Sequence, residues 1–327
     1  MEFRKLGNST LEVSAITFGA WAAGGWMWGS TDRKDAVEAI IASYNEGVTS
    51  IDTAPIYGQG VSEEIVGEAI KGISRDKVQL LTKFGMRWDL ESPKGNFAMH
   101  SENNEGKAID IYRYAGKESV IKEVEDSLKR LGTDYIDLLQ IHWPDTTTPI
   151  SETMEAVDIL LQQGKIRTAG VSNYSVDQVK EARETVNIVS NQVPYSMLNR
   201  NIEADLVPYA LENDLSIIAY SPMERGLLTG KYFKDVNFAS GDHRSNYFGQ
   251  FNLEKVKTFL EKIEPLAEAK NATLSQLVLK WTTLQPAITI TLAGARNAEQ
   301  SISNAQAIHI KLSSEEVQFI NDALKQL

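Results

Sequence analysis

Three short apolar runs of this 327-residue chain each lead into side chains that can hold or move a proton. The first opens into Asp52-Thr-Ala-Pro-Ile-Tyr57-Gly. The second, Val-Gln-Leu-Leu-Thr, ends at Lys83, and the third reaches His142 within Leu-Gln-Ile-His-Trp-Pro. An ammonium closing an apolar run is costly to bury alone, so a carboxylate partner is expected, and Asp52 is the natural candidate. A lysine cation beside Tyr57 would favour the phenolate and draw the phenol below its ordinary pKa of about 10. A phenol tuned in that way can protonate a carbonyl oxygen as hydride reaches the carbon. His142 could hydrogen-bond the same oxygen and orient it. Taken singly, each residue has a plainer use as a structural ion pair, a packing tyrosine or a satisfied histidine. The chemistry depends on their meeting.

The pattern around them says where they would meet. Runs rich in Ile, Val and Leu alternate with helical patterns in eight strand–helix units, beginning at residues 16, 48, 78, 136, 168, 188, 215 and 287. Residues 2–13 precede these units as two short strands around a Gly-Asn-Ser turn, a hairpin. Asp32 caps a helix over 33–45 that stops at Gly47, and Ser62, followed by Glu63 and Glu64, reads as the next N-cap. Further helices fall at 119–130, 151–163, 176–184, 203–213, 274–284 and 298–304. Eight units without a break in composition predict one α/β domain over residues 1–327, a closed (β/α)8 TIM barrel, with an open doubly wound sheet as the alternative. In such barrels chemistry sits at the C-terminal ends of the strands, where all four side chains would converge. Segments 84–117 and 221–273 follow the third and seventh strands and overhang that mouth. With Trp88, Phe97, Tyr112 and Tyr114, the first is either a pocket cover or a surface excursion.

Composition removes several classes of function. Lys and Arg number 33 against 44 Asp and Glu, a net charge of −11 that repels phosphate backbones and anionic membranes. No nucleic-acid or membrane partner is expected. The absence of cysteine excludes thiol catalysis, disulfides and thiolate metal sites, and the four scattered histidines form no His-x-x-x-His pair, so no metal is expected. No stretch of about 18 apolar residues is present, and the N-terminus lacks the apolar run of a signal peptide, so the expected location is cytoplasmic. Self-association into a homo-oligomer is left open.

Two glycine patterns resemble nucleotide motifs and fail them. Gly58-Gln-Gly60-Val-Ser-Glu63 has Glu63 where a dinucleotide fingerprint needs its third glycine, and the following strand carries no ribose-binding acid. Gly226-Leu-Leu-Thr-Gly230-Lys231 is one residue short of a phosphate loop and lacks its Ser/Thr. What remains is a glycine loop after strand seven ending in Lys231, able to bring N–H groups and an ammonium to a pyrophosphate. Gly294-Ala-Arg296, after strand eight, opens a helix whose N-terminus could hold a phosphate with Arg296.

From the hairpin to the final helices, the chain resembles the aldo-keto reductase family. The resemblance rests on Gly19-Ala20-Trp21, Asp52 to Gly58, Thr82-Lys83, Ser127-Leu-Lys-Arg-Leu-Gly-Thr-Asp-Tyr-Ile-Asp-Leu and Gln140-Ile-His142-Trp-Pro-Asp. Gly164-Lys-Ile-Arg, Gly170-Val-Ser172-Asn173-Tyr, Gln192-Val-Pro-Tyr195-Ser, Tyr220-Ser221-Pro222 and Gly294-Ala-Arg296 with Gln300 and Asn304 extend it. It is nearest to the bacterial general-stress and inositol-operon reductases and the potassium-channel β subunits. It implies a barrel whose bottom the N-terminal hairpin closes, and NADPH/NADP+ bound without a Rossmann fold. Tyr57 would be the general acid–base, tuned by Lys83 and Asp52, with His142 orienting the carbonyl of a small aldehyde or ketone, or of the alcohol in reverse. Ser172, Asn173 and Gln192 would hold the nicotinamide carboxamide, and Tyr220 would stack on its ring. Ser221, Pro222, Met223, Gly226 and Lys231 would line the pyrophosphate. Arg296 would meet the 2′-phosphate, Gln300 and Asn304 would lie near the adenine, and Gly294 and Arg244 would add cofactor contacts. Trp21 falls with the cofactor contacts and also borders the substrate pocket with Trp26, Met27, Trp28, Trp88, Trp143 and Tyr195. The alternatives are a cofactor-binding regulatory subunit with little turnover, and a lyase or aldolase with Lys83 as a Schiff base.

Overall fold

Eight short strands, buried on both faces, pair in parallel and close on themselves. In the computed structural model, which describes residues 1–28, 32–233 and 244–327, a hairpin of β1 (Phe3–Lys5) and β2 (Glu12–Ser14) precedes the barrel strand β3 (Ile16–Gly19). Then come β4 (Ser50–Asp52), β5 (Gln79–Phe84) and three strands outside the barrel: β6 (Met86–Arg87), β7 (Asn96–Glu102) and β8 (Ala108–Arg113). The barrel resumes with β9 (Ile136–Ile141), β10 (Ile166–Ser172), β11 (Ile188–Pro194), β12 (Ser216–Tyr220) and β13 (Ile288–Gly294). The order β3-β4-β5-β9-β10-β11-β12-β13 returns to β3, so the (β/α)8 barrel is the fold and the open sheet is not.

Alternation along each strand sorts its side chains into two cores. Leu80, Leu139 and Ile217 point outward under the helices, while Leu81, Leu138 and Ile218 point inward. Leu6 and Val13 of the hairpin join the inward group, so the hairpin closes one end of the barrel. It is the N-terminal end: Arg4 donates to the Ile288 carbonyl at 2.8 Å and the Gly7 N–H to Ser216 Oγ at 2.7 Å, both at strand starts. Gly7, at φ +53°, leaves no room for a side chain, since a Cβ would lie 2.4 Å from the Val189 carbonyl oxygen. With the bottom sealed, only the C-terminal mouth is open to ligands.

Three expectations need correction or filling in. Ser62 is not an N-cap: the helix Val61–Ile70 starts from Gly60 at φ 101°, and the buried Ser62 hydroxyl donates to the Ala20 carbonyl at 2.8 Å. Segment 84–117 is a cover rather than a loose excursion, because β6, β8 and β7 form a three-stranded antiparallel sheet. Trp26 Nε1 donating to Ser101 Oγ (3.0 Å) and Asn104 Nδ2 donating to the Gly24 carbonyl (2.8 Å) tie that sheet to the loop after β3. Segment 221–273 contains the 17-residue helix Leu253–Ala269, capped by Asn252. Among the described residues, no helix is long and apolar enough to cross a membrane, and no cluster of His, Asp and Glu could hold a metal ion.

Candidate active site

Asp52 ends β4, Lys83 lies one residue before the end of β5, and His142 follows β9, so three neighbouring strands deliver them to one rim. Lys83 Nζ donates to Asp52 Oδ1 at 2.6 Å and to the Thr53 carbonyl at 3.0 Å, with both side chains buried. The second Asp52 oxygen accepts from Gln192 Nε2 at 2.8 Å. Tyr57 sits on the turn beyond β4, where Gly58 has φ 68° and a Cβ there would come within 2.3 Å of the Gly24 carbonyl oxygen. That turn brings the Tyr57 ring centroid 5.1 Å from Lys83 Nζ and 5.6 Å from the His142 ring, edge to face. The structure therefore brings the four residues together.

Burial dominates their electrostatics. The Tyr57 phenol is pushed well above its ordinary value by desolvation and then by the Asp52 carboxylate. This is opposite in direction to the lowering expected from Lys83. Desolvation, with the Asp52 carboxylate adding to it, outweighs any pull of the ammonium, which is paired to Asp52 at 2.6 Å. Burial lowers Lys83, and the contact with Asp52 opposes the shift. His142 is held well below its usual range by burial and then by the Lys83 charge, so it stays neutral. The site holds a protonated phenol beside an uncharged imidazole.

A cleft of about 960 Å³ opens over this rim. Its walls include Trp21, Trp26, Trp28, Trp143, Ser172, Asn173, Gln192 and Tyr220, with Ser221, Pro222, Met223, Gly226, Lys231 and Arg244 from the segment after β12. Gly294, Arg296, Gln300 and Asn304, from the end of β13 and the turn and helix after it, also line it. The polar residues beside the rim are fixed by one another. Asn173, in the left-handed region at φ 60°, donates from Nδ2 to the His142 carbonyl and to Ser172 Oγ, both at 3.0 Å. Its Oδ1 accepts from the Tyr220 hydroxyl at 3.0 Å, and Ser172 Oγ donates to the Gln192 carbonyl at 2.7 Å. Gln300 accepts from the Arg296 N–H at 3.0 Å and Asn304 donates to the Gly294 carbonyl at 3.0 Å, shaping the turn before the helix Ala298–Gln306. Arg244 is buried, bonded to the Tyr232 hydroxyl and 5.1 Å from the Trp28 ring.

Some sequence-derived residues fall elsewhere. Lys83 lies beneath the cleft floor, engaged by Asp52 and Thr53, which argues against a Schiff base. Trp88 does not line the cleft: it packs against the cluster of Trp26, Ile56 and Met86 and faces a separate groove of about 430 Å³ with Leu90, Pro93 and Tyr112. Tyr195 is a packing residue, 1% exposed, stacked on Trp281 and donating its hydroxyl to Glu203 at 2.7 Å. Sequence reasoning missed Met86 and Met99 from the inserted sheet, Glu264 and Glu268 from the helix Leu253–Ala269, and Arg225. For the helix the signal was present: Val256, Phe259, Leu260, Ile263 and Ala267 recur at helical spacing and are buried.

A sealed parallel barrel with an ion-paired lysine, a phenol and an imidazole at its mouth matches one known family. The chain belongs to the aldo/keto reductase family, whose model matches residues 15–325, and it is an oxidoreductase dependent on a nicotinamide cofactor. It is 38% identical to the aldo-keto reductase YhdN of Bacillus subtilis, over 99% of this chain and 94% of the relative. It is 35% identical to the NADH-specific methylglyoxal reductase of Escherichia coli, over 98% of both. Among solved structures, the glycerol dehydrogenase AKR11B4 of Gluconobacter oxydans superposes with a TM-score of 0.87 at 37% identity, covering 99% of this chain and 95% of that one. A probable voltage-gated potassium channel subunit β of Arabidopsis thaliana is a relative at 29% identity, over 95% of this chain and 92% of the relative. The expected likeness to both bacterial reductases and channel β subunits is thus found.

Proposed function

We propose that the protein reduces aldehydes and ketones with NADPH, and oxidises the alcohols in reverse, with Tyr57 as the general acid–base. The observation that carries the reading is the convergence of Tyr57, the Lys83–Asp52 pair and His142 at one cleft that Lys231 and Arg296 also line. The wall fits a dinucleotide by its chemistry: amides and a hydroxyl beside the rim, the Tyr220 ring among them, and the cations Lys231 and Arg296 on the loops after β12 and β13. When bound, the nicotinamide supplies hydride to the carbonyl carbon. Tyr57 donates its proton to the carbonyl oxygen, and His142, neutral, holds that oxygen by a hydrogen bond. Lys83 and Asp52 keep the phenol in place, and Gln192 fixes Asp52. Ser172, Asn173 and Gln192 hold the carboxamide. Trp21, Trp26, Trp28 and Trp143 border the substrate end, excluding water and favouring apolar carbonyl compounds.

A panel of carbonyls and alcohols, followed in both directions at the nicotinamide absorbance, tests this. Turnover of several carbonyls is expected. Tight cofactor binding without turnover of any would favour the regulatory-subunit reading, which the channel-subunit relative keeps in play. Because Tyr57 remains protonated and His142 uncharged, kcat/KM for reduction should stay level between about pH 6 and pH 8. A step in that window would mean that an essential group titrates there and contradict the assignment.

Preference for NADPH is supported by Arg296 and Arg244, two arginines in the wall of the cleft. The relative named as NADH-specific makes this worth measuring directly. Arg296→Ala should weaken NADPH about 10- to 100-fold, with a much smaller effect on NADH, since a charge-assisted phosphate contact is worth about 1.5–3 kcal/mol. Equal wild-type affinities for the two cofactors would remove the preference.

A further inference from the structure

Arg225 is the cation of this cleft that the reaction scheme leaves without a task. It follows Glu224, and both residues have left-handed backbones, at φ 54° and 47°. That conformation costs roughly 1–2 kcal/mol for a residue other than glycine, and such strain gathers at ligand clamps. The neighbouring glutamate does not neutralise it: Glu224 accepts from the hydroxyls of Ser196 and Tyr247. Among the described residues, no carboxylate lies within 4.0 Å of the guanidinium, and its buried Nε has no partner. The Arg225 guanidinium carbon is 3.7 Å from the centroid of the Tyr247 ring, whose hydroxyl is anchored by Glu224, so the cation rests on a fixed platform. It also lies 5.4 Å from the Trp21 ring, which stacks on Tyr57 with centroids 6.0 Å apart. One indole separates it from the reacting phenol.

We propose that Arg225 is a specificity-determining residue that takes an oxyanion, foremost a carboxylate, carried by the carbonyl substrate. The inference rests on the carbonyl-reductase reading and narrows its substrate class to oxo-acids and related anionic carbonyls. A guanidinium bound through planar N–H groups suits a carboxylate, and a strained, stacked, unpaired one is already desolvated and oriented for it. In the reading above Lys231 and Arg296 are taken by the cofactor, which leaves this cation of the same cleft to the substrate. The other source of an oxyanion within reach is the dinucleotide's own pyrophosphate, and the experiment separates the two.

The probes are 4-oxobutanoate and 4-carboxybenzaldehyde, each compared with its methyl ester, on wild type, Arg225→Met and Arg225→Lys. Wild type should favour the acid over the ester in kcat/KM. Arg225→Met should lower that acid-to-ester ratio about 10- to 100-fold, chiefly through KM, and Arg225→Lys should restore part of it. A wild-type ratio near one that neither variant changes would overturn the proposal. So would equal losses on acid and ester with a matching rise in the NADPH dissociation constant, which would assign Arg225 to the pyrophosphate. Equal losses with a lowered Tm and unchanged NADPH affinity would reduce it to a packing residue on Tyr247. If wild type reduces none of the four probes, the carbonyl-reductase reading is what fails. Intrinsic tryptophan fluorescence, to which Trp21 beside Arg225 contributes, then still reports on the anion site: titration with 4-hydroxybutanoate should change it in wild type and not in Arg225→Met, and no response in wild type would overturn the site itself.

Discussion

Tyr57→Phe should lower kcat for carbonyl reduction by about 10³- to 10⁴-fold while leaving the NADPH dissociation constant nearly unchanged. The substitution removes one hydroxyl and keeps the ring, so the stack with Trp21 and the edge contact with His142 remain. What disappears is the phenolic proton that burial keeps in place beside His142. The hydride path and the cofactor wall do not involve that hydroxyl, so binding and chemistry should separate cleanly. Steady-state kinetics and a fluorescence titration of NADPH on the same preparation measure both. Retention of more than a tenth of wild-type turnover would show that another group supplies the proton.

Lys83→Met should cost both turnover and stability. The ammonium is buried against Asp52, and removing it strands a buried carboxylate with Gln192 as its remaining side-chain partner. Breaking a buried pair from one side costs about 3–5 kcal/mol, or a Tm drop of roughly 4–7 °C in a chain of this size. Asp52→Asn in the Lys83→Met background should recover most of the lost Tm, because an amide needs no counter-charge. It should not recover turnover, because the phenol would still lack the pair that holds it in place. Thermal unfolding of the two variants beside wild type decides the matter. A Lys83→Met protein as stable as wild type would mean that the pair is not the buried, mutually dependent unit described.

The barrel was legible because its strands must be apolar on both faces, and such runs stand out whatever surrounds them. Ile136 to Ile141 and Ile188 to Gln192 are of this kind, and both were placed nearly to the residue. The rim was legible for a related reason: Asp52, Lys83 and His142 each interrupt or end a run where core packing would choose an apolar residue. The inserted sheet was harder. β7 alternates exposed and half-buried positions among Asn, His, Ser and Glu, a pattern that a polar loop shares. Trp88 was assigned to the pocket by its aromatic character, and it faces a different groove. The helix Leu253–Ala269 was hidden by Pro265 within it and by its position in a long insertion after the seventh strand. Arg225 was invisible for another reason: positive φ on two successive charged residues leaves no trace in residue type. The sign of the Tyr57 shift was misjudged because sequence names the neighbours of a group and not its burial.

The account turns on where the nicotinamide lies relative to the phenol, and a crystal structure of the complex with NADP+ measures that directly. The expected result is a nicotinamide ring against Tyr220, its carboxamide on Ser172, Asn173 and Gln192, its reactive edge facing Tyr57 and His142, and the adenosine phosphate beside Arg296. A dinucleotide seated in the opposite sense, or outside this cleft with Tyr57 out of reach of its reactive carbon, would contradict it.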